Sequence, residues 1–498
     1  MKNLQELLND SSYIKIIGNV DKDIIDITAD SRMVKEGSLF ICLSGYHVDG
    51  HKYVSEAVEK GAVAIIAEKK ISVPEGVTVV YVKNTRTVME KIAPLFFDYP
   101  SKSMRMIAVT GTNGKTTTTH IISHILKKAG YKTGVIGTIH ALIGDEEFET
   151  HNTTPDVIDL QRLLYKMKKA KVTHVCMEVS SHSLVLGRVE GCEFDTAVFS
   201  NLTEDHLDFH KTMINYANAK AKLFSMVSEE GQVKSNKNAC INIDDDYSHI
   251  MIDAIKDRKL CKLHTSSMNR DAELKVISTE FTGKNTKFIC VYKNKEYPVT
   301  VKLMGRFNVY NIMAAMSAAI SEGIDFNFII KALTDFTNVP GRFELIDEGQ
   351  EFSVVVDYAH TPDGLENILT TAREITTGKI IVVFGCGGDR DPMKRPIMGR
   401  IAAKYSDIAI VTSDNPRTED PNSIVEQVVK GVKENAEKYN CKYKVLVDRR
   451  SAIKEAIEIA RVNDIVIIAG KGHEDYQILK NKTIHFDDRE EARRVLRG

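Results

Sequence analysis

The chain has 498 residues, 43% hydrophobic and 27% charged, which suits a soluble protein of about three domains at ~150 residues each. Its 67 Lys and Arg against 68 Asp and Glu leave a formal charge of −1, without the basic excess of a nucleic-acid binder. No apolar run approaches the ~18 residues of a membrane span, and eight scattered cysteines without a C-x-x-C pair read as buried thiols, not disulfides or a zinc site.

The first segment, Met1-Lys2-Asn3-Leu4-Gln5-Glu6, lacks the basic-then-apolar order of a signal peptide, so a cytoplasmic protein is expected. Over residues 1–100 short apolar runs (Ser38–Leu43, Val63–Ala67, Val77–Val82) surround a helix-like Tyr53–Lys60 and predict a small α/β domain. Tyr99-Pro100-Ser101-Lys102-Ser103 reads as a linker. Residues 101–338 are expected to form a second domain with strands at Met106–Thr110, Thr133–Gly137, His174–Val179, Thr196–Asn201 and Ala239–Ile243. Helix-like Thr116–Ala129, Val157–Lys169 and Tyr216–Val227 fall between them. That alternation predicts βαβ units and a mostly parallel sheet with ligands at the strand C-termini. Phe288–Tyr292 and Val299–Val301, flanking Lys293-Asn294-Lys295, predict a β-hairpin insertion.

Residues 339–498 alternate again. Predicted strands are Ser353–Val356, Lys379–Phe384, Ile408–Thr412, Lys444–Val447 and Ile465–Ala469; predicted helices are Asp363–Thr376, Ile397–Lys404, Ile424–Lys438 and Ser451–Ala460. This describes a Rossmann-like domain. Gly385-Cys386-Gly387-Gly388-Asp389-Arg390 puts Arg390 where the third glycine of a dinucleotide fingerprint belongs, so NAD is not expected.

The chemistry concentrates at Thr110-Gly111-Thr112-Asn113-Gly114-Lys115-Thr116-Thr117. A strand feeding a glycine turn that opens a helix offers backbone N–H groups and a helix N-terminus to a phosphate. Lys115 would reach the terminal phosphates and the Thr116 hydroxyl would ligate Mg²⁺. The general P-loop places its first glycine where this chain has Val109, so the loop is a compact variant. Phosphoryl transfer needs hard oxygen ligands for Mg²⁺. Glu178, at a strand end, is placed for that work, although an acidic residue there is also common without it. His206 and His210, four apart, would share a helical face; a Mg²⁺ ligand from this loop is expected and a catalytic zinc is not.

Together, the 110–117 loop and Asn201-Leu202 with Asp205-His206-Leu207-Asp208 resemble the Mur ligases, and the resemblance spans the chain. It implies ATP-dependent amide ligation in cytoplasmic peptidoglycan precursor synthesis, and so a part in cell wall biogenesis, cell shape and cell division. It also implies a small N-terminal α/β domain, a central P-loop ATPase-type parallel sheet and a C-terminal Rossmann-like domain. Folylpolyglutamate synthetases share the central ATPase but lack the first domain. Asp30-Ser31-Arg32 with Gly37-Ser38-Leu39-Phe40 resembles a first-domain signature, implying that Ser31 contacts the UDP-sugar.

Further motifs resemble the branch that adds meso-diaminopimelate to UDP-N-acetylmuramoyl-L-alanyl-D-glutamate (UDP-MurNAc-L-Ala-D-Glu). Asn152-Thr153-Thr154-Pro155 resembles its substrate loop, and Glu178–Leu184 with Arg188 the next, implying substrate contacts for Thr153, Thr154, Ser180 and Arg188. Leu186 stands where some relatives have a glutamine contact. Tyr216-Ala217-Asn218-Ala219-Lys220 resembles the segment with a carbamylated lysine, implying that Lys220 as its carbamate joins Thr116, Glu178 and His206 around Mg²⁺. An ordinary surface lysine is the alternative. Lys115, Lys220 and His206 are the implied catalytic residues.

Asp414-Asn415-Pro416-Arg417 matches the diaminopimelate recognition motif. Meso-diaminopimelate carries one carboxylate more than lysine, and an arginine fork suits that group. Arg390 and Arg417 are expected to clamp it while Gly470 and Glu474 hold the distal amino-acid end. Asn311 resembles an adenine contact, and Arg342 and Asp357 resemble third-domain residues that reach ATP on domain closure. Mg²⁺, ATP as substrate and a monomer without nucleic-acid or membrane partners complete the expectation. L-lysine as the amino acid remains open, as does a P-loop kinase or NTPase whose third domain binds a regulator. No base for the amine is assignable.

Overall fold

The computed structural model describes every residue except 10, 46, 47, 151, 283 and 284. The described residues form two compact units, one of Met1–Lys115, Leu126–Ile241 and Asp245–His264, the other of Thr116–Ile125, Asn242–Asp244 and Thr265–Gly498.

In the first unit, a five-stranded sheet runs in the order Lys15–Ile17, Thr78–Tyr81, Ala62–Ala67, Ser38–Ile41, Asp26–Thr28, parallel except for Lys15–Ile17. Leu39, Ile41 and Val80 share a core with Leu4 and Leu7 of the first helix and with Val88, Met89 and Ile92 of the Thr85–Phe96 helix. Sequence periodicity misses the three-residue strands because they are too short to show a period. It also misses the Thr85–Phe96 helix, which contains Pro94 and four β-branched residues but is capped by Asn84 accepting from Thr87 N at 3.1 Å. The predicted linker is instead a 3₁₀ turn, Pro100–Ser103, with Pro100 and Ser101 buried. Ser101 Oγ donates to Gly191 O at 3.4 Å and accepts from Glu193 N at 3.1 Å, so the segment is built into the unit.

Seven strands of a larger sheet follow in the order Glu146–Phe148, Ala141–Ile143, Thr133–Ile136, His174–Glu178, Arg105–Thr110, Thr196–Phe199, Lys237–Asn242. The last five of these seven are parallel and the first two form an antiparallel extension. Arg105–Thr110 lies at the centre, with Ile107, Ala108 and Val109 fully buried, as an apolar run covered on both faces requires.

In the second unit, Leu274–Phe281, Thr286–Tyr292 and Lys295–Val301 form an antiparallel meander. The last turn is Lys293-Asn294 alone, both with positive φ as a two-residue hairpin demands, so the predicted three-residue turn is one too long. The C-terminal sheet has the order Glu344–Leu345, Ser353–Asp357, Ile465–Ala469, Ile380–Phe384, Ile408–Val411, Lys442–Val445. All but the first strand are parallel. Leu365, Met398 and Val428 cover one face, and Ala452, Ile453 and Ala492 the other, which makes a three-layer sandwich. The loops after Ile408–Val411, Ile380–Phe384 and Ile465–Ala469 therefore leave one sheet edge side by side.

Arg449 and Asp488, both fully buried, form a two-point ion pair: Nε to Oδ1 at 2.7 Å and Nη2 to Oδ2 at 2.6 Å. Asp488→Ala would leave the guanidinium charge buried and is expected to cost about 3–5 kcal/mol, whereas Arg449→Met with Asp488→Leu should restore most of it. Urea unfolding checks this; equal midpoints for the single variant and the parent would refute it. All eight cysteines are buried thiols. Among the described residues, no helix is long and apolar enough to cross a membrane.

Candidate active site

The Arg105–Thr110 strand runs into the Gly111–Gly114 turn, and the Lys115–Lys128 helix follows, one residue earlier than periodicity suggests. A Cβ on Gly111 would collide with Ser200 Oγ, so glycine is needed for the turn to pass the neighbouring strand end. The turn is laced to that end. Thr112 N donates to Asn201 O at 2.8 Å, Asn113 N to Asn201 Oδ1 at 2.9 Å, and Ser200 Oγ to Asn113 O at 2.7 Å. Lys115 folds back over the turn, donating to Gly111 O at 3.0 Å and Thr112 O at 2.8 Å. Thr116 and Thr117 are buried on the first helical turn.

The Met213–Val227 helix, capped by Thr212 accepting from Asn215 N at 3.2 Å, brings Lys220 to the same turn. Lys220 is 1% exposed and donates to Gly111 O at 2.6 Å. Its Nζ lies 4.5 Å from the centre of the Tyr216 ring, while Tyr216 OH meets Thr112 Oγ1 at 3.2 Å. Burial first, and the Lys115 charge second, push the Lys220 amine well below the ordinary lysine range.

His206 differs from expectation. With φ at +54° it caps the Leu207–His210 helix from outside, so His206 and His210 do not share a helical face. Their rings flank His182 at centroid separations of 4.7 and 5.4 Å. Burial lowers the His206 pKa and pushes His210 down to about 4, where His210 Nε2 pairs with Ser181 Oγ at 2.9 Å. Among the described residues, no group of three or more His, Cys, Asp or Glu is arranged to hold a metal ion.

The expected acceptor loops meet around buried Glu178. Its Oε1 accepts from Thr138 N at 2.9 Å and its Oε2 from Thr138 Oγ1 at 3.1 Å; Thr138 Oγ1 also reaches Thr153 Oγ1 at 3.1 Å. Thr154 Oγ1 donates to Glu178 O at 2.9 Å and accepts from Ser180 N at 3.1 Å. Arg188 Nη1 donates to Thr154 O at 3.1 Å, and its buried Nε has no hydrogen-bond partner among the described residues. A half-buried arginine with donors to spare is suited to an anion. Ser31 stands apart from this cluster as a buried hydroxyl donating to Glu56 Oε2 at 2.9 Å.

In the second unit, Asn311 is buried on the Arg306–Ser321 helix, its Nδ2 donating to Asn308 Oδ1 at 3.0 Å. Asp357 Oδ1 and Oδ2 accept from Ala359 N and Phe343 N, both at 2.7 Å, and burial raises its carboxyl pKa. The Arg342 guanidinium lies 4.7 Å over the Tyr358 ring.

The Asp414–Arg417 turn follows Ile408–Val411 and packs against Gly470–Glu474. Fully buried Lys471 donates to Asn415 Oδ1 at 3.1 Å and Glu474 Oε2 at 3.3 Å, and lies 3.7 Å from Asp414 Oδ1. Asn415 Nδ2 adds a bond to Glu474 Oε2 at 2.9 Å. Burial, with Lys471 opposing it and Asp414 adding to it, raises the Glu474 pKa. Arg417 Nη1 donates to Gly388 O at 2.8 Å, and Arg390, exposed, to Asp389 O at 3.1 Å. Both side chains border Gly387, and Pro416 borders Gly388.

Two residues overlooked at the sequence level belong to these clusters. Tyr216 was legible as the i, i+4 partner of Lys220 on a helix. Lys471 sits inside Gly470-Lys471-Gly472-His473-Glu474, but nothing local indicates that its amine is buried between two carboxylates.

Three stretches match family models: residues 23–96 the catalytic domain of the Mur ligase family, 109–319 the Mur ligase middle domain and 341–472 the Mur ligase glutamate ligase domain. A UDP-N-acetylmuramoyl-L-alanyl-D-glutamate--2,6-diaminopimelate ligase of Syntrophomonas wolfei subsp. wolfei is 46% identical, with 99% of each chain covered. A protein of the same name from Clostridium botulinum is 45% identical over 98% of each. A solved structure of a ligase of that name is 34% identical, with a TM-score of 0.70 and coverage of 100% of this chain and 99% of that one.

Proposed function

The chain belongs to the Mur ligase family, and on that premise we propose that it joins meso-diaminopimelate to the D-glutamate γ-carboxylate of UDP-MurNAc-L-Ala-D-Glu at the expense of ATP. A carboxylate is a poor electrophile for an amine. The γ-phosphoryl group of ATP therefore passes to it, giving an acyl phosphate and ADP. The amine then attacks the acyl carbon, the tetrahedral intermediate expels phosphate, and an amide remains. Lys115 opposes the charge that develops on the phosphoryl oxygens, and the N–H groups at the start of the Lys115–Lys128 helix hold the phosphates. Thr153, Thr154, Ser180 and Arg188 hold the acceptor peptide, and Ser31 serves the UDP-sugar. Asn311, Arg342 and Asp357 serve the nucleotide.

Thr116, Glu178 and Lys220, the last once its amine has become a carbamate, offer the oxygen donors that Mg²⁺ takes and would hold it, with His206 as a fourth ligand. The ion, when bound, offsets phosphate charge. A site completed by phosphate and carbamate oxygens needs no cluster of three protein carboxylates or imidazoles. We place the reaction in the cytoplasm, in a monomer with domains at 1–100, 101–338 and 339–498.

The observation that carries the choice of amino acid is the Asp414–Arg417 turn beside Lys471 and Glu474. It offers a cation for a carboxylate and an anion for an ammonium group. Arg417→Ala is expected to raise the KM for meso-diaminopimelate roughly 30-fold or more, the lower end of a ~2–5 kcal/mol loss, with the KM for ATP nearly unchanged. The direct test is phosphate release from ATP with each substrate omitted in turn. Release that requires both UDP-MurNAc-L-Ala-D-Glu and meso-diaminopimelate supports the reading. Equal turnover with L-lysine, or hydrolysis indifferent to amino acid, would defeat it.

A further inference from the structure

The two loops that form the Arg417 turn are held together by side chains outside the recognition motif. One leaves the Ile380–Phe384 strand and the other its parallel neighbour, Ile408–Val411. Each carries a non-glycine residue in left-handed backbone, Asp389 at φ +53° and Arg417 at +52°, a conformation that needs outside support. Asp389 supplies part of it, accepting from Thr418 Oγ1 at 2.6 Å and Thr418 N at 3.2 Å. In return, Asp389 N donates to Glu419 Oε1 at 2.6 Å.

Glu419 is gripped from the far side by Arg395, which is 1% exposed on the Lys394–Tyr405 helix. Its Nη1 and Nη2 reach the two Glu419 oxygens at 2.9 and 2.8 Å, a fork that fixes orientation as well as distance. The same guanidinium donates to Gln427 Oε1 at 3.0 Å and to Gly387 O at 3.3 Å. It thus ties both loops to one helix. A Cβ on Gly388 would collide with the Pro416 carbonyl oxygen, so the loops are already in contact where Gly388 O receives Arg417 Nη1. Moving Glu419 therefore moves both the backbone that carries Arg417 and the carbonyl that aims it.

We propose that Arg395, Glu419 and Asp389 are positioning residues for amino-acid selection, holding Arg417 in the turn from which its guanidinium meets the extra carboxylate of the diamino-acid substrate. This rests on the reading of Asp414–Arg417 as the amino-acid pocket.

The test uses the full-length enzyme with saturating ATP and UDP-MurNAc-L-Ala-D-Glu, reading phosphate release. Glu419→Gln is expected to raise the KM for meso-diaminopimelate about tenfold, equivalent to ~1.4 kcal/mol, with kcat and the KM for ATP within about twofold. The preference for meso-diaminopimelate over L-lysine should fall by a similar factor, because lysine lacks the carboxylate that Arg417 meets. Arg395→Lys keeps the charge but loses the fork and should behave alike. Asp389→Asn, at an exposed position, should show the same pattern to a smaller degree. An unchanged amino-acid KM in Glu419→Gln and Asp389→Asn overturns the proposal, as does a loss of kcat that only follows thermal stability. If the parent enzyme prefers another amino acid, the substrate reading fails instead, and the positioning proposal is judged on the KM for the amino acid it does use.

Discussion

Lys115→Met is expected to lower kcat by about 10³-fold, or ~4 kcal/mol of transition-state stabilisation. The substitution keeps most of the stem and removes only the ammonium group. That group is held by the carbonyls of Gly111 and Thr112, so it is already aimed along the turn before any substrate binds. Charge that develops on a transferring phosphoryl group would meet a fixed cation rather than one recruited from solvent. Folding should change little, and a thermal melt run beside single-turnover kinetics separates the two effects. Activity within about tenfold of the parent would mean that Lys115 does not face the phosphoryl group in the transition state.

Lys220→Ala is expected to cost roughly 10²- to 10³-fold in kcat, for a different reason. An exposed lysine is protonated at neutral pH and does not react with carbon dioxide. Lys220 is buried, and both that burial and Lys115 favour its neutral, nucleophilic form. Addition of carbon dioxide forms an N–C bond, releases one proton and leaves a carbamate anion. A second potential cation at the Gly111 carbonyl is thereby exchanged for an anion beside Lys115, which relieves the repulsion between the two amines. Enzyme equilibrated with ¹³C-bicarbonate should show a carbamate carbonyl resonance that is lost in Lys220→Ala. Removal of carbon dioxide should lower activity reversibly. A parent enzyme with no such resonance and full activity without carbon dioxide would sink the carbamate reading.

The Gly111–Gly114 turn was the most legible part of the molecule because its residues are local. Gly111 to Thr117 are consecutive, and a strand and a helix on either side suffice to orient them. The C-terminal sheet was legible for a related reason: each buried parallel strand is a short apolar run, and each helix between shows its own period. Boundaries moved by one to three residues where capping set the end. Asp448 accepting from Ser451 N at 2.8 Å starts the Arg449–Ile459 helix two residues before the predicted Ser451.

Contacts between distant segments were not legible. Thr138 lies 40 residues from Glu178 in the chain, yet it satisfies both carboxylate oxygens. The left-handed turn at His206 separated two histidines that spacing alone placed on one face. Arg395 gave no signal beyond a basic residue near a helix start, and its burial against Glu419 depends on two loops brought together by the parallel pairing of their strands.

By itself, the sequence determined the α/β class, the order of the segments and the glycine turn between the Arg105–Thr110 strand and the Lys115–Lys128 helix. These follow from hydrophobic period, glycine placement and residue type, all of which act between near neighbours. Only the tertiary structure decided which charges are buried, which carbonyl two lysines share and what holds Arg417. Burial and hydrogen-bond partners are properties of space around a side chain, and that space is filled by residues tens of positions away.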